Sequence, residues 1–229
     1  MSGIVWLQKT DLPSALPPTS RALAEPNGLL AVGGALTPEW LIHAYRQGVF
    51  PWFSADQPIL WWAPDPRAVL WPAEFHVSRS LKRSIRQRGY ETRIDTAFET
   101  VIAACAGPRR GSAGTWITRE MHAAYVELNR RGLAHSIECW LGDRLVGGLY
   151  GVGIGRVFFG ESMFTRETDA SKVALARLVA ECRARDLPLI DCQMPSPHLA
   201  SLGSRNLPRA EFERELARLV RAPAPPWRT

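Results

Sequence analysis

The chain of 229 residues can form one large domain, or a small lobe joined to a domain of ordinary size. It is 46% hydrophobic and 22% charged, which is typical of a globular protein, and no apolar run is long enough to cross a bilayer. The N-terminal segment lacks the features of a secretory signal, so we expect a cytoplasmic protein with no membrane partner.

Cysteine and histidine are too scattered to predict a metal site. The four cysteines include no Cys-x-x-Cys pair, and none of the five histidines lies at ligand spacing from them. Such cysteines in a cytosolic protein are usually reduced core thiols. The glycine-rich run at 147–155 is not a dinucleotide loop, because no helix follows it. It indicates a β-hairpin whose backbone another group can approach closely. We expect no metal and no cofactor.

The first third of the chain is predicted to form a small lobe. Residues 1–35 are rich in Pro, Gly and small residues and are expected to be irregular. Thr37 and Pro38 predict a helix start, and the helix over 40–45 should end at Gly48. Four of the nine tryptophans then lie between Trp52 and Trp71, interleaved with prolines, which indicates a rigid aromatic platform. We place the lobe at 1–62 and the main domain at 63–229, with a first strand at 68–71.

A basic helix is predicted over residues 78–88. It carries four cations at helical spacing: Arg79, Lys82, Arg83 and Arg86. No acidic residue lies between positions 78 and 90 to neutralise them, and the whole chain has a net charge of +6. A solvated helix face would explain such a stripe, but the missing acids favour phosphate binding.

The remaining segments alternate between α and β, which predicts an α/β (α+β) fold. Strands are expected at 90–94, 134–141, 144–152 and 156–160, and helices at 98–106 and 118–131. Gly142 and Asp143 indicate a hairpin turn. A helix over 171–185 and a strand over 187–192 complete a βαβ unit, so the last two strands should be parallel. Only the tail, 221–229, has the composition of a disordered end.

Three polar residues lie among apolar strand residues. Glu161 is expected at the end of one strand, and Asp191 and Gln193 at the end of the next, where α/β proteins commonly place ligands. Asp191 and Gln193 are two apart and should face the same side. A carboxylate there can orient an amide or hold an ammonium group. The alternatives are a capping role for Asp191 and an ion pair of Glu161 with Arg156 or Arg166.

Seven segments of the chain form a distinctive set in this order: 25–31 (EPNGLLA), 50–53 (FPWF), 61–67 (WWAPDPR), 114–119 (GTWITR), 147–151 (GGLYG), 160–164 (GESMF) and 190–193 (IDCQ). Together they resemble the leucyl/phenylalanyl-tRNA–protein transferase family. The resemblance implies a GNAT-like acyltransferase domain. It also implies transfer of Leu or Phe from aminoacyl-tRNA to the N-terminal Arg or Lys of acceptor proteins, which marks them for N-degron degradation.

The resemblance also implies roles for individual residues. Asp191 would orient Gln193, and Gln193 would help withdraw the amine proton; in a rival version Asp191 positions the amine and the tRNA ribose relays the proton. Glu161 would hold the 3′ adenosine or the amino end of the acceptor. Trp52 and Trp116 would flank the adenosine, and the basic helix would bind tRNA. The aminoacyl pocket, which could also accept Met, would consist of Leu149, Phe158, Leu175, Leu178 and Ile190.

Two other functions compete with this interpretation. An acetyl-CoA-dependent N-acetyltransferase would have the same fold, but the turn before Ser171 lacks a glycine-rich pyrophosphate loop. A non-enzymatic RNA-binding module would explain the tryptophans and the basic helix, which can stack on bases and bind phosphates. It would leave Glu161, Asp191 and Gln193 without a purpose. In each case we expect a monomer.

Overall fold

The computed structural model describes residues 3–107 and 117–227, which form eleven strands and seven α-helices. A first sheet has the strand order β1-β2-β4-β3. Its strands are β1 (Val5–Leu7), β2 (Leu29–Gly33), β3 (Phe50–Pro51) and β4 (Leu60–Trp62). Of the helices in these described ranges, none is both long and apolar enough to span a membrane.

Helix α1 (Pro38–Arg46) begins where the capping signals predict. The Thr37 Oγ1 accepts a hydrogen bond from the backbone N–H of Trp40 at 3.4 Å, and Gly48 follows the helix with a φ of 76°. The prediction that residues 1–35 are irregular is wrong, because β1 and β2 lie there. Both strands are short and are flanked by Pro and Gly, so the segment has the composition of a loop although residues Leu30 to Val32 are buried.

The second sheet has the strand order β11-β5-β10-β9-β8-β7-β6. Its strands are β5 (Arg67–Leu70), β6 (Glu91–Ile94), β7 (Ala134–Leu141), β8 (Arg144–Ile154), β9 (Val157–Thr165), β10 (Leu189–Gln193) and β11 (Arg205–Leu207). Strands β6 to β9 pair antiparallel with one another, and β10 pairs parallel with β9. The predicted mixed α/β fold is therefore confirmed, as are its hairpin and its parallel final pair, while the GNAT-like character of the domain stays a prediction.

Helices cover both faces of this sheet. They are α2 (Arg79–Gln87), α3 (Phe98–Cys105), α4 (Arg119–Arg130), α5 (Ala170–Ala184), α6 (Pro197–Ala200) and α7 (Arg209–Leu219). Helix α5 lies on one face, and α1, α3 and α4 lie on the other. Gly147 of β8 allows α5 to approach closely, since a Cβ at this position would lie 2.6 Å from the Ala170 Cβ. Strand β9 extends beyond residue 160, so the expected position of Glu161 at a strand end is wrong.

One hydrophobic core joins the two sheets. It includes Leu30 and Trp61 from the first sheet and Val69 and Phe159 from the second. The lobe boundary predicted at residue 62 falls between the two sheets along the chain. It stays a prediction, since the sheets are packed together by this shared core.

The C-terminal region is more ordered than its composition indicates. Helix α7, which the sequence analysis did not predict, buries Phe212 and Leu216 against Gly48. The prediction of a disordered end is wrong for residues 221–227, because the side chain of Trp227 is only 8% exposed. Its ring stacks on His135 with 4.6 Å between ring centroids. A single aromatic residue anchors a segment whose average composition is that of a loose end.

Candidate active site

A cavity opens where the two parallel strands separate. Strands β9 and β10 pair from Val157 and Leu189 as far as Phe159 and Asp191, and their ladder ends there. The register between β8 and β9 skips Glu161, and the register between β5 and β10 skips Cys192. A bulge bends its strand and redirects side chains. These two bulges turn polar side chains toward the gap between the strands.

This cavity is apolar and has a volume of about 500 Å³ including its open mouth. Four of the five residues predicted for the aminoacyl pocket line it: Leu149, Leu175, Leu178 and Ile190. Phe158 is not among the residues that line it, and its place in the aminoacyl pocket stays a prediction. Its fully buried ring packs on Trp227, with 5.3 Å between centroids. Met163, Cys192 and Leu199 line the cavity as well and were not predicted.

Glu161 and Gln193 meet at the polar end of the cavity. The Gln193 Nε2 donates a hydrogen bond to the Glu161 Oε1 at 2.8 Å. The hydroxyl of Tyr45 in α1 donates to the same oxygen at 2.7 Å, and the hydroxyl of Tyr125 in α4 donates to Oε2 at 2.8 Å. The two tyrosine hydroxyls also contact each other. No motif in the sequence pointed to either tyrosine, and each was visible only as part of an apolar helix face.

Burial raises the pKa of Glu161 to about 7, because a buried carboxylate loses its hydration. Hydrogen bonds from Tyr45 and Tyr125 lower this pKa, the negative charge of Asp191 raises it, and the hydrogen bond from Gln193 lowers it. Burial also raises the pKa of Tyr45 and of Tyr125 well above the usual value, so both phenols stay neutral and can donate. Glu161 can therefore gain or lose a proton near neutral pH.

Asp191 is fully buried and is bound to Arg67 of β5. The Arg67 Nε and Nη2 donate to the two carboxylate oxygens at 2.8 and 2.6 Å. The guanidinium lies between the rings of Phe50 and Phe212, 4.8 and 4.7 Å from their centroids. This is the bidentate geometry for which arginine is suited. The segment 61–67 was identified from the sequence, but the role of its arginine was not.

The contact between Asp191 and Gln193 differs from the one that the resemblance implies. The Asp191 Oδ1 accepts the backbone N–H of Gln193 at 2.9 Å, and the Gln193 side chain turns instead to Glu161. Gln193 has a φ of 61°, which is uncommon for a residue with a side chain. The bulge at Cys192 breaks the alternation on which the expectation of a shared face rested, and that expectation stays a prediction.

A second, smaller cavity adjoins the first at the same two polar residues. Its volume is about 340 Å³, and it is lined by Phe50, Pro51, Trp52, Glu161, Gln193 and Met194. The Trp52 side chain is 43% exposed, and its ring meets the Trp62 ring edge-on with 5.7 Å between centroids. Trp116, the other predicted stacking residue, lies outside the described residues. Glu161 and Gln193 thus stand between an apolar cavity and one bordered by an exposed indole.

Helix α2 presents the predicted basic stripe to solvent. Its four cations are all exposed: Arg79, Lys82, Arg83 and Arg86. Leu81 and Ser84 face inward, and the Ser84 Oγ donates to the Asp169 Oδ2 at 2.8 Å. Asp169 directly precedes α5, the helix that supplies Leu175 and Leu178 to the apolar cavity. The basic helix is therefore attached to one wall of the cavity.

Comparison with known proteins identifies the family. The model of the leucyl/phenylalanyl-tRNA protein transferase family matches residues 69–217, and the model of the N-terminal domain of the same family matches residues 34–65. The chain belongs to the leucyl/phenylalanyl-tRNA protein transferase family. It is accordingly an enzyme, an aminoacyltransferase, as the resemblance predicted.

Close relatives cover nearly the whole chain. A leucyl/phenylalanyl-tRNA–protein transferase of Azoarcus sp. is 57% identical over 223 residues, which are 97% of this chain and 94% of the relative. One from Thiobacillus denitrificans is 57% identical over 216 residues, or 93% and 95% of the two chains. A solved GCN5-related N-acetyltransferase from Kribbella flavida is 11% identical with a TM-score of 0.36, covering 75% of this chain and 61% of its own. That remote likeness adds nothing to the family assignment.

Proposed function

We propose that this protein transfers a Leu or Phe residue from the 3′ end of aminoacyl-tRNA to the α-amino group of proteins that begin with Arg or Lys. The modified N-terminus would then mark the acceptor for degradation as an N-degron. The observation that carries the proposal is an apolar cavity that ends on Glu161 and Gln193, in a member of this family. The protein would act as a monomer in the cytoplasm, where charged tRNA is present.

The apolar cavity supports an unbranched-Cβ aminoacyl side chain as the transferred group. Burial of a Leu or Phe side chain contributes about 1.5–3 kcal/mol, and the lining from Leu175, Leu178 and Ile190 offers no polar partner to competing side chains. Val and Ile carry a methyl at Cβ that would crowd the entrance. Met resembles Leu in size, and one methylene discriminates by only about 1–3 kcal/mol, so we include Met as a weaker donor.

The second cavity supports a cationic acceptor. A protein N-terminus with Arg or Lys carries positive charge, and Glu161 borders this cavity with a carboxylate. The exposed face of Trp52 can attract a cation through its ring or stack on the terminal adenosine. The proposal thus brings ester and amine together at Glu161 and Gln193, the two residues that the cavities share.

The reaction needs little beyond alignment and transfer of one proton. An aminoacyl ester is already activated, so that amine attack requires no nucleotide and no covalent enzyme intermediate. Correct placement of two reactants can contribute about 7–11 kcal/mol to lowering the barrier. Asp191 supports this placement indirectly, because it fixes the backbone of Gln193 and is itself fixed by Arg67.

The direct test is transfer of labelled leucine from charged tRNA to two peptides that differ only in an N-terminal Arg or Ala. We expect transfer to the Arg peptide alone, and strong loss of transfer in Gln193→Ala. Transfer to neither peptide, with tRNA still bound by the wild-type protein, would overturn the proposal. Retention on a CoA resin would instead point to an acetyltransferase.

A further inference from the structure

The reaction requires a group that accepts the proton of the attacking amine. Gln193 is unsuited, because a neutral amide has no basic site at neutral pH. Asp191 is also unsuited, because it is fully buried beside Arg67 and lines neither of the two cavities. Glu161 is the remaining carboxylate at the junction of the two cavities. Each of these cavities would hold one reactant, so the amine and the ester should meet beside it.

Glu161 belongs to a closed ring of three oxygen–oxygen contacts. Its Oε1 contacts Tyr45, its Oε2 contacts Tyr125, and the two phenol oxygens contact each other. A hydrogen bond in each contact requires three protons, of which the phenols supply two. A protonated Glu161 supplies the third. When Glu161 is ionised, both phenols donate to it in charge-assisted hydrogen bonds. The contact between the two phenols then holds no proton, so the ring can hold Glu161 in either protonation state but completes all three hydrogen bonds only when Glu161 is protonated.

We propose that Glu161 accepts the proton of the acceptor amine, and that Tyr45 and Tyr125 are positioning residues that hold its carboxylate ready for this transfer. The inference rests on the proposed function and names the proton acceptor within it. The pKa of Glu161 near 7 agrees with this role, because a general base works best when its pKa is close to the operating pH.

The step balances without a further reactant. The lone pair of the neutral amine attacks the ester carbonyl carbon, and an N–C bond forms. The bond between that carbon and O3′ of the terminal ribose then breaks. The proton lost by nitrogen moves to the Glu161 carboxylate. The Glu161 carboxyl then returns a proton to the departing O3′, so that Glu161 ends ionised, as it began.

The groups around Glu161 determine the direction in which its pKa can be moved. Tyr45 faces it from α1, Tyr125 from α4, and Gln193 from β10. The charge of Asp191 also acts from β10, paired with Arg67. The ring of Tyr150 in β8 packs on Tyr125, with 5.4 Å between centroids. Replacing either donor tyrosine by Phe removes a hydrogen bond to the ionised form, so the pKa of Glu161 must rise.

The test combines a titration with a rate profile, both on the full-length chain. Carbon-13-labelled glutamate would be titrated by NMR in the wild-type protein, with Glu161→Gln to assign the signal. We expect Glu161 to titrate near pH 7 and at higher pH in Tyr45→Phe and Tyr125→Phe. Leucine transfer to the Arg peptide would then be measured against pH. Each variant should be slower at neutral pH and regain rate as the pH is raised.

The control variant is Tyr90→Phe, which also loses one hydroxyl hydrogen bond, to the Thr168 carbonyl oxygen at 2.8 Å. Its rate profile should coincide with that of the wild type. Titration of the acceptor amine changes the rate over the same pH range in every variant. Only a change of rate whose pH range differs between variants therefore reports on Glu161. A Glu161 that titrates like an ordinary glutamate, near pH 4.3, would overturn the inference. A pH–rate profile that does not shift in either tyrosine variant would also overturn the inference. Absence of transfer by the wild-type protein would instead contradict the proposed function.

Discussion

The buried Arg67–Asp191 pair fixes the strand that carries Gln193. Both side chains are almost fully buried, and the charge of each is compensated by the other. Removing two charges from water is costly, and removing only one partner leaves the other uncompensated in the core. Because Asp191 also holds the backbone N–H of Gln193, loss of Arg67 should affect both stability and the position of the amide.

We expect Arg67→Leu to lower the free energy of unfolding by about 3–5 kcal/mol, because it leaves the Asp191 charge buried alone. The double variant Arg67→Leu with Asp191→Leu should be more stable than Arg67→Leu, yet still defective in transfer. Urea unfolding and the leucine assay would measure the two effects. Arg144→Leu, which removes an exposed partner of Glu167, is the matched control and should cost less than about 1 kcal/mol. A double variant less stable than Arg67→Leu would contradict the account.

The cavity wall should determine which aminoacyl group is accepted. Leu178 lines the cavity, whereas Leu202 belongs to the same buried cluster but lies off the lining. Leu178→Ala and Leu202→Ala should each lower stability by about 2–5 kcal/mol. Only Leu178→Ala enlarges the cavity, so it should reduce transfer of Leu by about tenfold relative to Phe. Competition between the two charged tRNAs would measure this ratio, and an equal change in both variants would show that Leu178 does not set it.

At the scale of elements, the sequence predicted most of the regular segments and missed the irregular ones. The capping residue Thr37 located the start of α1, and Gly142 located the hairpin. The bulges at Glu161 and Cys192 could not be predicted, because alternation of apolar and polar residues assumes an unbroken ladder. The left-handed backbone of Gln193 has no glycine to signal it. The sequence therefore drew attention to Glu161, Asp191 and Gln193, but not to the two tyrosines and the arginine that contact their carboxylates.

Helix α2 is expected to bind the phosphate backbone as a unit. Replacing its four exposed cations by Gln should weaken tRNA binding about equally for all sequences. It should also reduce the slope of log K against log salt by about 0.7–0.9 for each lost phosphate contact. Filter binding over a range of salt concentrations would measure both.

The control for this helix must change the charge of the protein by the same amount. Four exposed arginines outside α2 serve this purpose: Arg21, Arg144, Arg214 and Arg218. If binding depends on α2, their replacement by Gln should leave most of the salt slope intact. Equal losses in both sets would show that overall charge, and not this helix, binds the tRNA.

For the whole molecule, the alternation of helical and strand segments predicted the fold class but not how the two ends of the chain are packed. The N-terminal sheet contributes Leu30 and Trp61 to the same core as Phe159, so residues that resembled loops are in fact interior. At the other end, Phe212 and Leu216 are spaced as on a helix face, and this pattern alone could have predicted α7. The burial of Trp227 could not be predicted in this way, because a single apolar residue shows no helical or strand periodicity.

Residues 221–227 should therefore stabilise the second sheet by packing across it. Trp227 packs on His135 of β7 and Phe158 of β9, and a Cβ on Gly153 of β8 would lie 2.9 Å from its indole nitrogen. We expect Trp227→Ala to lower the free energy of unfolding by about 2–5 kcal/mol, since a large buried ring is lost. Trp6→Ala, at a tryptophan that is 67% exposed, should change it by no more than about 0.5 kcal/mol. Similar urea midpoints for the two variants would mean that residues 221–227 do not contribute to the core in solution.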